Sequence, residues 1–488
     1  MKTEEKLNLT MLCDFYELTM GNGYFRAGLQ DRITYFDVFF RNVPDNGGFA
    51  VCAGLEQLVQ YIQNLHFDEE DIAFLRDKHL FSEDFLSYLR DFRFTGDIWA
   101  VPEGTPIFPR EPVVTVRAPA IQAQLIETFT LLTINHQSLI ATKANRIVRA
   151  AQGRTVLEFG SRRAQGTDGA ISGARAAYIG GCAGTACTIS DQLYGVPAGG
   201  TMAHSWVQMF DSQYEAFKTY CQIYPHNATL LVDTYNVLKS GVPDAIRAFD
   251  EVLKPLGIRK CGIRLDSGDM AYLTQEARRK LDAAGWTECQ ISASNSLDEY
   301  IIRDLLLQGA KIDSFGVGER LITSKSEPVF GGVYKLVAVK QPDGSYTPKM
   351  KCSDSASKAI IPGKKMPWRL YDENGQAQCD LIAMDGEVIE AGKPVTMVNL
   401  DSDAIERTVT FTPTAVKPLL VPHILGGQLA MELPSIAEKK AYIAKQLTEE
   451  TWESELRLEC PHKHYVNMTP AVAECRARMY AELHGGKV

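Results

Sequence analysis

Between residues 155 and 317 the chain alternates between two textures. Short strand-like runs, TVLEF (155–159), AGGTMA (198–203), TLLVD (229–233), CGIRLD (261–266), CQISAS (289–294) and KIDSFGV (311–317), are separated by stretches with helical periodicity, at 205–221, 243–256, 270–284 and 297–309. Parallel strands cannot be joined by a tight turn, and a helix-length connection supplies the crossover they need. Units recurring every 25–35 residues or so predict parallel strands wrapped by helices, closing into an irregular α/β barrel. An open doubly wound sheet is the other architecture the pattern allows.

The flanks read differently. Leu12, Tyr16 and Met20 are spaced four apart, which predicts a helix over 5–30 with Asn8 or Thr10 as its cap. The run ITYFDVFFR (33–41) is rich in β-branched and aromatic residues and predicts a strand. Leu55, Leu58, Val59, Ile62 and Leu65 share one helical face, and Asp68-Glu69-Glu70-Asp71 opens another helix with acids at its positive end. Prolines at 102, 106, 109 and 112 break 94–119 into short β runs before a long helix over 121–150. Beyond Pro328, VFGGVYKLVAV (329–339) and KAIIP (358–362) predict strands, and Asp343-Gly344, Asn374-Gly375 and Asp385-Gly386 predict hairpin turns. The expected division is a mixed α/β domain over 1–150, completed by part of the C-terminal region, and a catalytic barrel over 151–325. A β-rich segment packing on the outer domain over 326–430 and a helical C-terminal extension over 431–488 complete it.

Composition narrows the function. Sixty acidic against 51 basic residues give a net charge of −9, which argues against a general binder of nucleic acid or membrane surface but permits a local basic pocket. Eleven cysteines without a CxxC pair fit a reduced compartment. The first twenty residues are polar and acidic where a signal peptide would be basic and then apolar, and no apolar run is long enough to span a membrane, so a cytoplasmic protein is expected.

In such a barrel, residues at the C-terminal strand ends face one site. Those ends offer Phe159, Arg162 and Arg163; Thr201 and His204; Asp233 and Thr234; Arg264, Asp266 and Asp269; Ser294 and Asn295; and Gly316 and Gly318. Arginines, carboxylates, a histidine and glycine turns together suit a ligand with a phosphate, a sugar and a second anionic group. Gly316-Val317-Gly318 and the run 294–297 can turn backbone N–H groups toward a phosphate, or be plain tight turns. Asp233 and Asp266 can hold ribose hydroxyls or a hydrated Mg²⁺, or cap the helices that follow them. His204 is either a hydrogen-bonded supporting group or a nucleophile or base near neutral pH.

Five stretches sharpen this: DFYELTMGNGYFRAG (14–28), EFGSRRAQG (158–166), GTMAHSW (200–206), IRLDSGD (263–269) and GERLITSKSEPVFGGVYKLV (318–337). With them in this order, the chain resembles the nicotinate phosphoribosyltransferase family of the type II phosphoribosyltransferase superfamily over most of its length. The resemblance implies an irregular α/β barrel flanked by a mixed α/β domain, in a homodimer with shared active sites. It also implies ATP-coupled transfer of the phosphoribosyl group from phosphoribosyl pyrophosphate to nicotinate, the entry step of NAD salvage from nicotinic acid. By position, Tyr16 then reaches the pyridine ring from the neighbouring subunit and Phe159 stacks on its other face. Arg162, Thr201 and Arg264 fall near nicotinate and the ribose phosphate, Thr323 contacts phosphoribosyl pyrophosphate, and His204 is the histidine phosphorylated by ATP. Arg163, Ser294, Asn295, Gly316 and Gly318 are assigned to the phosphate side, and Asp233, Asp266 and Arg264 to catalysis with Mg²⁺ near the two aspartates.

In the similar nicotinamide enzyme a Gly-Thr-Asp-Thr run supplies an aspartate for the amide. The corresponding run here is Gly184-Thr185-Ala186-Cys187, without a carboxylate to repel that of nicotinate. A nicotinamide phosphoribosyltransferase and a catalytically silent relative are the alternatives. Cys460, His462, His464 and Cys475 make a poor zinc signature, because they lack paired CxxC spacing.

Overall fold

The computed structural model describes residues 8–351, 360–400 and 407–483. The chain forms two units, Ile140–Pro328 and Met1–Leu139 with Val329–Val488. The helix Glu127–Ala150 therefore crosses the division, and its second half belongs with unit Ile140–Pro328. There Lys143 and Arg146 both pair with the buried Glu299, at 2.8 and 3.0 Å, and Asn145 donates to the Gly180 carbonyl. Such buried charges are tolerated only when paired.

Unit Ile140–Pro328 carries six parallel strands: β1 (Thr155–Glu158), β2 (Gly184–Thr185), β3 (Thr229–Leu231), β4 (Gly262–Leu265), β5 (Gln290–Ser294) and β6 (Ser314–Val317). Their order across the sheet is β2-β1-β6-β5-β4-β3. Sequence neighbours are thus spatial neighbours, and β6 returns to β1, which is the cyclic order of a barrel. Among the described residues no ladder joins β2 to β3, so the hydrogen-bonded ring is interrupted there.

The run AGGTMA, expected as a strand, lies in that interruption and forms none. Only Ala198 bridges to Thr185. Pro197 before it has no N–H, and Gly199 and Gly200 have no side chains to pack, so the segment cannot sustain a ladder. β2, two residues long, takes the place in the sheet. The expected helix 243–256 is also divided, with π turns at Val237–Gly241 and Phe249–Leu253 on either side of the α-helix Val242–Ala248. Pro243 and Pro255 cannot donate to the regular i−4 ladder, and widened turns accommodate them.

The other unit is built on two large sheets. The seven-stranded one is antiparallel, with Ile33–Phe39 between Val333–Lys340 and Val114–Pro119. Side chains alternate across a strand: Phe36 and Val38 join the large core, while Tyr35 and Phe39 enter a second one. Burial on both faces explains why the strand reads as a continuous apolar and aromatic run. The first helix spans only Phe15–Arg26 of the expected 5–30, part of which lies outside the described residues. Leu55, Leu58, Val59 and Ile62 are buried on the helix Leu55–Asn64, and Asp68 with Asp71 forms a capping box on the next helix.

In the six-stranded sheet, Tyr465–Met468 pairs with both Ala377–Met384 and Val395–Asn399, so the segment expected as a helical extension also supplies an interior strand. Of KAIIP, 358 and 359 lie outside the described residues and 360–362 form no strand. Asp343-Gly344 and Asn374-Gly375 do turn hairpins, whereas the strand after Asp385-Gly386 pairs elsewhere. His464 is held by the Glu455 carboxylate at 3.0 Å with Asp380 at 3.5 Å, and among the described residues no three His, Cys, Asp or Glu side chains gather as a metal cage.

Candidate active site at the strand ends

The six strands run in one direction, so residues just past their C-terminal ends gather at one rim however far apart they lie in sequence. Arg264, on β4, organises one side of it. Its Nη1 donates to Thr201 Oγ1 and its Nη2 to the Met202 carbonyl, both at 2.7 Å, and Tyr220 Oη donates to the Thr201 carbonyl at 3.2 Å. The glycine-rich segment that fails to form a strand is therefore held at the rim by a forked guanidinium. Arg264 Nε is buried and unpartnered. Burial lowers the Arg264 pKa, Asp266 and Asp233 oppose that shift, and Arg162 adds to it, so all four charges share one field.

Asp233 and Asp266 follow β3 and β4. Asp233 Oδ2 accepts from the Asp266 N–H at 2.9 Å and from Ser267 Oγ at 2.6 Å, while Oδ1 is buried without a partner. Asp266 in turn accepts from Ser294 Oγ through Oδ1, and from Asn295 Nδ2 at 2.9 Å through its carbonyl. Neither aspartate caps a helix. Capping falls to Asp269, which accepts from the Tyr272 N–H, and to Asp298, which accepts from Tyr300 and Ile301. Asn295 and Ser296 close the turn after β5 with φ of 85° and 51°, a left-handed pair that costs backbone energy outside glycine.

The opposite wall begins at β1. The Phe159 N–H bonds the Val317 carbonyl at 2.8 Å, and its half-buried ring covers Gly316 so closely that any side chain there would run into it. A Cβ on Gly160 would lie 2.6 Å from Ile322 Cβ. Arg162 and Arg163 follow on an exposed single turn, Ser161–Arg163. Gly318 precedes the short helix Glu319–Ile322, which Thr323 closes by donating through Oγ1 to the Glu319 carbonyl at 2.7 Å. Ala186 stands exposed just past β2. His204 Nδ1 is 3.1 Å from Thr234 Oγ1, which joins the histidine to the end of β3.

Every site residue the sequence suggested except Tyr16 lies in unit Ile140–Pro328. That residue is 44% exposed on the helix Phe15–Arg26 of the other unit, where partial burial and Glu127 raise its phenol pKa. Two supporting residues are not singled out from the sequence: Ser267, which braces Asp233, and Glu158, buried at the end of β1. Ser267 lies inside IRLDSGD, where a hydroxyl beside paired acids was the available signal.

Parallel strand ends bearing a clamped arginine, two linked carboxylates, a histidine and a half-buried aromatic ring are the composition of an enzyme site that suits a phosphorylated, anionic ligand. The chain matches the nicotinate phosphoribosyltransferase N-terminal domain over residues 11–135 and the C-terminal domain of the same family over 364–476. It is 38% identical over 481 residues to the nicotinate phosphoribosyltransferase of Bacillus subtilis, covering 98% of this chain and 96% of that one. It is 44% identical over 440 residues to nicotinate phosphoribosyltransferase pncB2 of Mycobacterium tuberculosis, covering 90% and 86%. The crystal structure of human nicotinic acid phosphoribosyltransferase superposes with a TM-score of 0.84 at 29% identity, over 96% of this chain and 99% of that one. The chain belongs to the nicotinate phosphoribosyltransferase family.

Proposed function

We propose that this enzyme transfers the phosphoribosyl group of phosphoribosyl pyrophosphate to the ring nitrogen of nicotinate, yielding nicotinate mononucleotide and pyrophosphate for NAD salvage, with ATP hydrolysis coupled through His204. Family membership supports the transfer reaction. The observation that carries it at the site is the forked hold of Arg264 on Thr201 and Met202, which fixes cationic and hydroxyl groups beside two linked aspartates.

Nicotinate's ring nitrogen has a lone pair and needs no general base, so the barrier falls mainly by positioning and by charge stabilisation. Phe159 gives one face for the ring, and Tyr16 of a second copy gives the other in a homodimer with shared sites. Arg162 and Arg264 neutralise the nicotinate carboxylate, with Thr201 beside them. As the bond from C1 to pyrophosphate breaks, positive charge grows on the ribose, and Asp233 and Asp266 offset it while orienting the hydroxyls. Arg163, Ser294, Asn295, Gly316, Gly318 and Thr323 face the phosphates. The orphaned Asp233 Oδ1 and the neighbouring Asp266 are oxygen donors of the kind Mg²⁺ prefers, and Mg²⁺ held there would neutralise pyrophosphate. Ala186 leaves the acid unopposed, which favours nicotinate over nicotinamide.

In the tautomer that carries its proton on Nδ1, within hydrogen-bond reach of Thr234 Oγ1, His204 keeps its Nε2 lone pair for attack on the γ-phosphorus of ATP. The phosphorus–oxygen bond to ADP breaks as the nitrogen–phosphorus bond forms, and water later releases phosphate. Replacing His204 with Ala should abolish ATP hydrolysis and ATP stimulation while leaving some ATP-independent transfer. Stimulation that survives the replacement would refute the role. The free thiols among the described cysteines suit a reducing cytoplasm.

A further inference from the structure

A carboxylate buried beneath the rim is unexplained by the reaction. Glu158 is the last residue of β1, with none of its surface exposed. One carboxylate oxygen, Oε1, accepts from the Gly160 N–H, and the other, Oε2, accepts from Thr185 Oγ1 at 2.6 Å. Thr185, equally buried on β2, passes the link on by accepting from the Cys187 N–H at 2.9 Å. The Glu158 carbonyl adds a bond from the Ala186 N–H at 2.8 Å.

One side chain therefore joins two stretches that the proposed function assigns to the same ligand. Gly160 lies between the ring platform Phe159 and the cation Arg162. Thr185 precedes Ala186, the position that separates acid from amide. β2 needs such a tie, because it is two residues long and on its other side meets only the bridge to Ala198. A buried acid is costly, and a strand end that needed only filling would take an apolar residue. An acid here supplies two acceptors at once, one to each stretch.

We infer that Glu158 is a positioning residue that, through Gly160 and Thr185, sets the separation between the Phe159–Arg162 wall and the Thr185–Ala186 wall, and so governs binding of the aromatic acid rather than of phosphoribosyl pyrophosphate. This rests on the phosphoribosyl-transfer reading of the site.

The test is steady-state kinetics of the full chain, varying nicotinate and phosphoribosyl pyrophosphate separately, in Glu158→Ala, Glu158→Gln, Thr185→Val and Thr185→Ser. Stranding a buried partner in Glu158→Ala or Thr185→Val should raise the KM for nicotinate about tenfold or more. The KM for phosphoribosyl pyrophosphate should stay within about twofold. Gln keeps one acceptor and Ser keeps the hydroxyl, so each should recover most of the nicotinate KM. Both KM values rising together, or neither moving, would overturn the inference. Should Glu158→Ala fail to fold, the Thr185 pair decides by the same criterion. Wild-type protein inactive with nicotinate would instead remove the underlying reading along with the inference, and that result is visible before any variant is made.

Discussion

At the scale of single residues, Arg264 concentrates most of the site's chemistry. Its guanidinium is partly desolvated, and two of its nitrogens are committed to the Thr201–Met202 segment. A lysine ammonium at this position is a point charge and cannot fork to both acceptors. Arg264→Lys should therefore lower kcat/KM for nicotinate by about tenfold to a hundredfold, the cost of a broken buried charged bond. Unchanged kcat/KM would show that the fork is dispensable. Asp233 and Asp266 were legible from position alone, since acids just past two neighbouring strands must meet at the rim. Glu158 was not, because in TVLEF it fits ordinary strand alternation and only its buried partners reveal a purpose.

At the scale of elements, the start of the helix Glu127–Ala150 shows how the first helix is fastened within its unit. Glu17, on Phe15–Arg26, accepts from both the N–H and the Oγ1 of Thr128, at 3.1 and 2.5 Å. Burial pushes its pKa up to about 7 from 4.5, against the lowering effect of those bonds. A carboxyl whose folded pKa is raised favours the folded state most when protonated, so its contribution is complete below about pH 4.5 and is lost as pH climbs through about 7. Melting temperature across that window should fall in the wild type and be flatter in Glu17→Gln. Equal slopes would contradict the assignment. Elements with a clear period were readable from sequence, as with Leu55–Asn64 and the Asp68 capping box. Those fixed by tertiary pairing were not. Tyr465–Met468 is four residues in a polar tail and becomes a strand because two longer strands flank it. AGGTMA looked like a strand only because a β/α repeat required one at that place.

At the scale of the molecule, the alternation over 155–317 predicts parallel strands in a barrel; the six strands found follow a barrel's cyclic order with one pair left unjoined among the described residues, and Gly184–Thr185 stands in place of the expected 198–203. The Thr201 segment that Arg264 holds runs in sequence between β2 and β3, the two strands left unjoined, so the departure from regular closure falls within the candidate site. Alternating units define a rim, but they do not say which pair of strands will be left unbonded. That depends on Pro197 and the two glycines after it. The central claim is tested most directly by measuring product from phosphoribosyl pyrophosphate supplied singly with nicotinate, nicotinamide or quinolinate, each with and without ATP. Nicotinate mononucleotide and pyrophosphate from nicotinate, increased by ATP, with little product from the other two, is the expected result. Turnover of nicotinamide in place of nicotinate would contradict it.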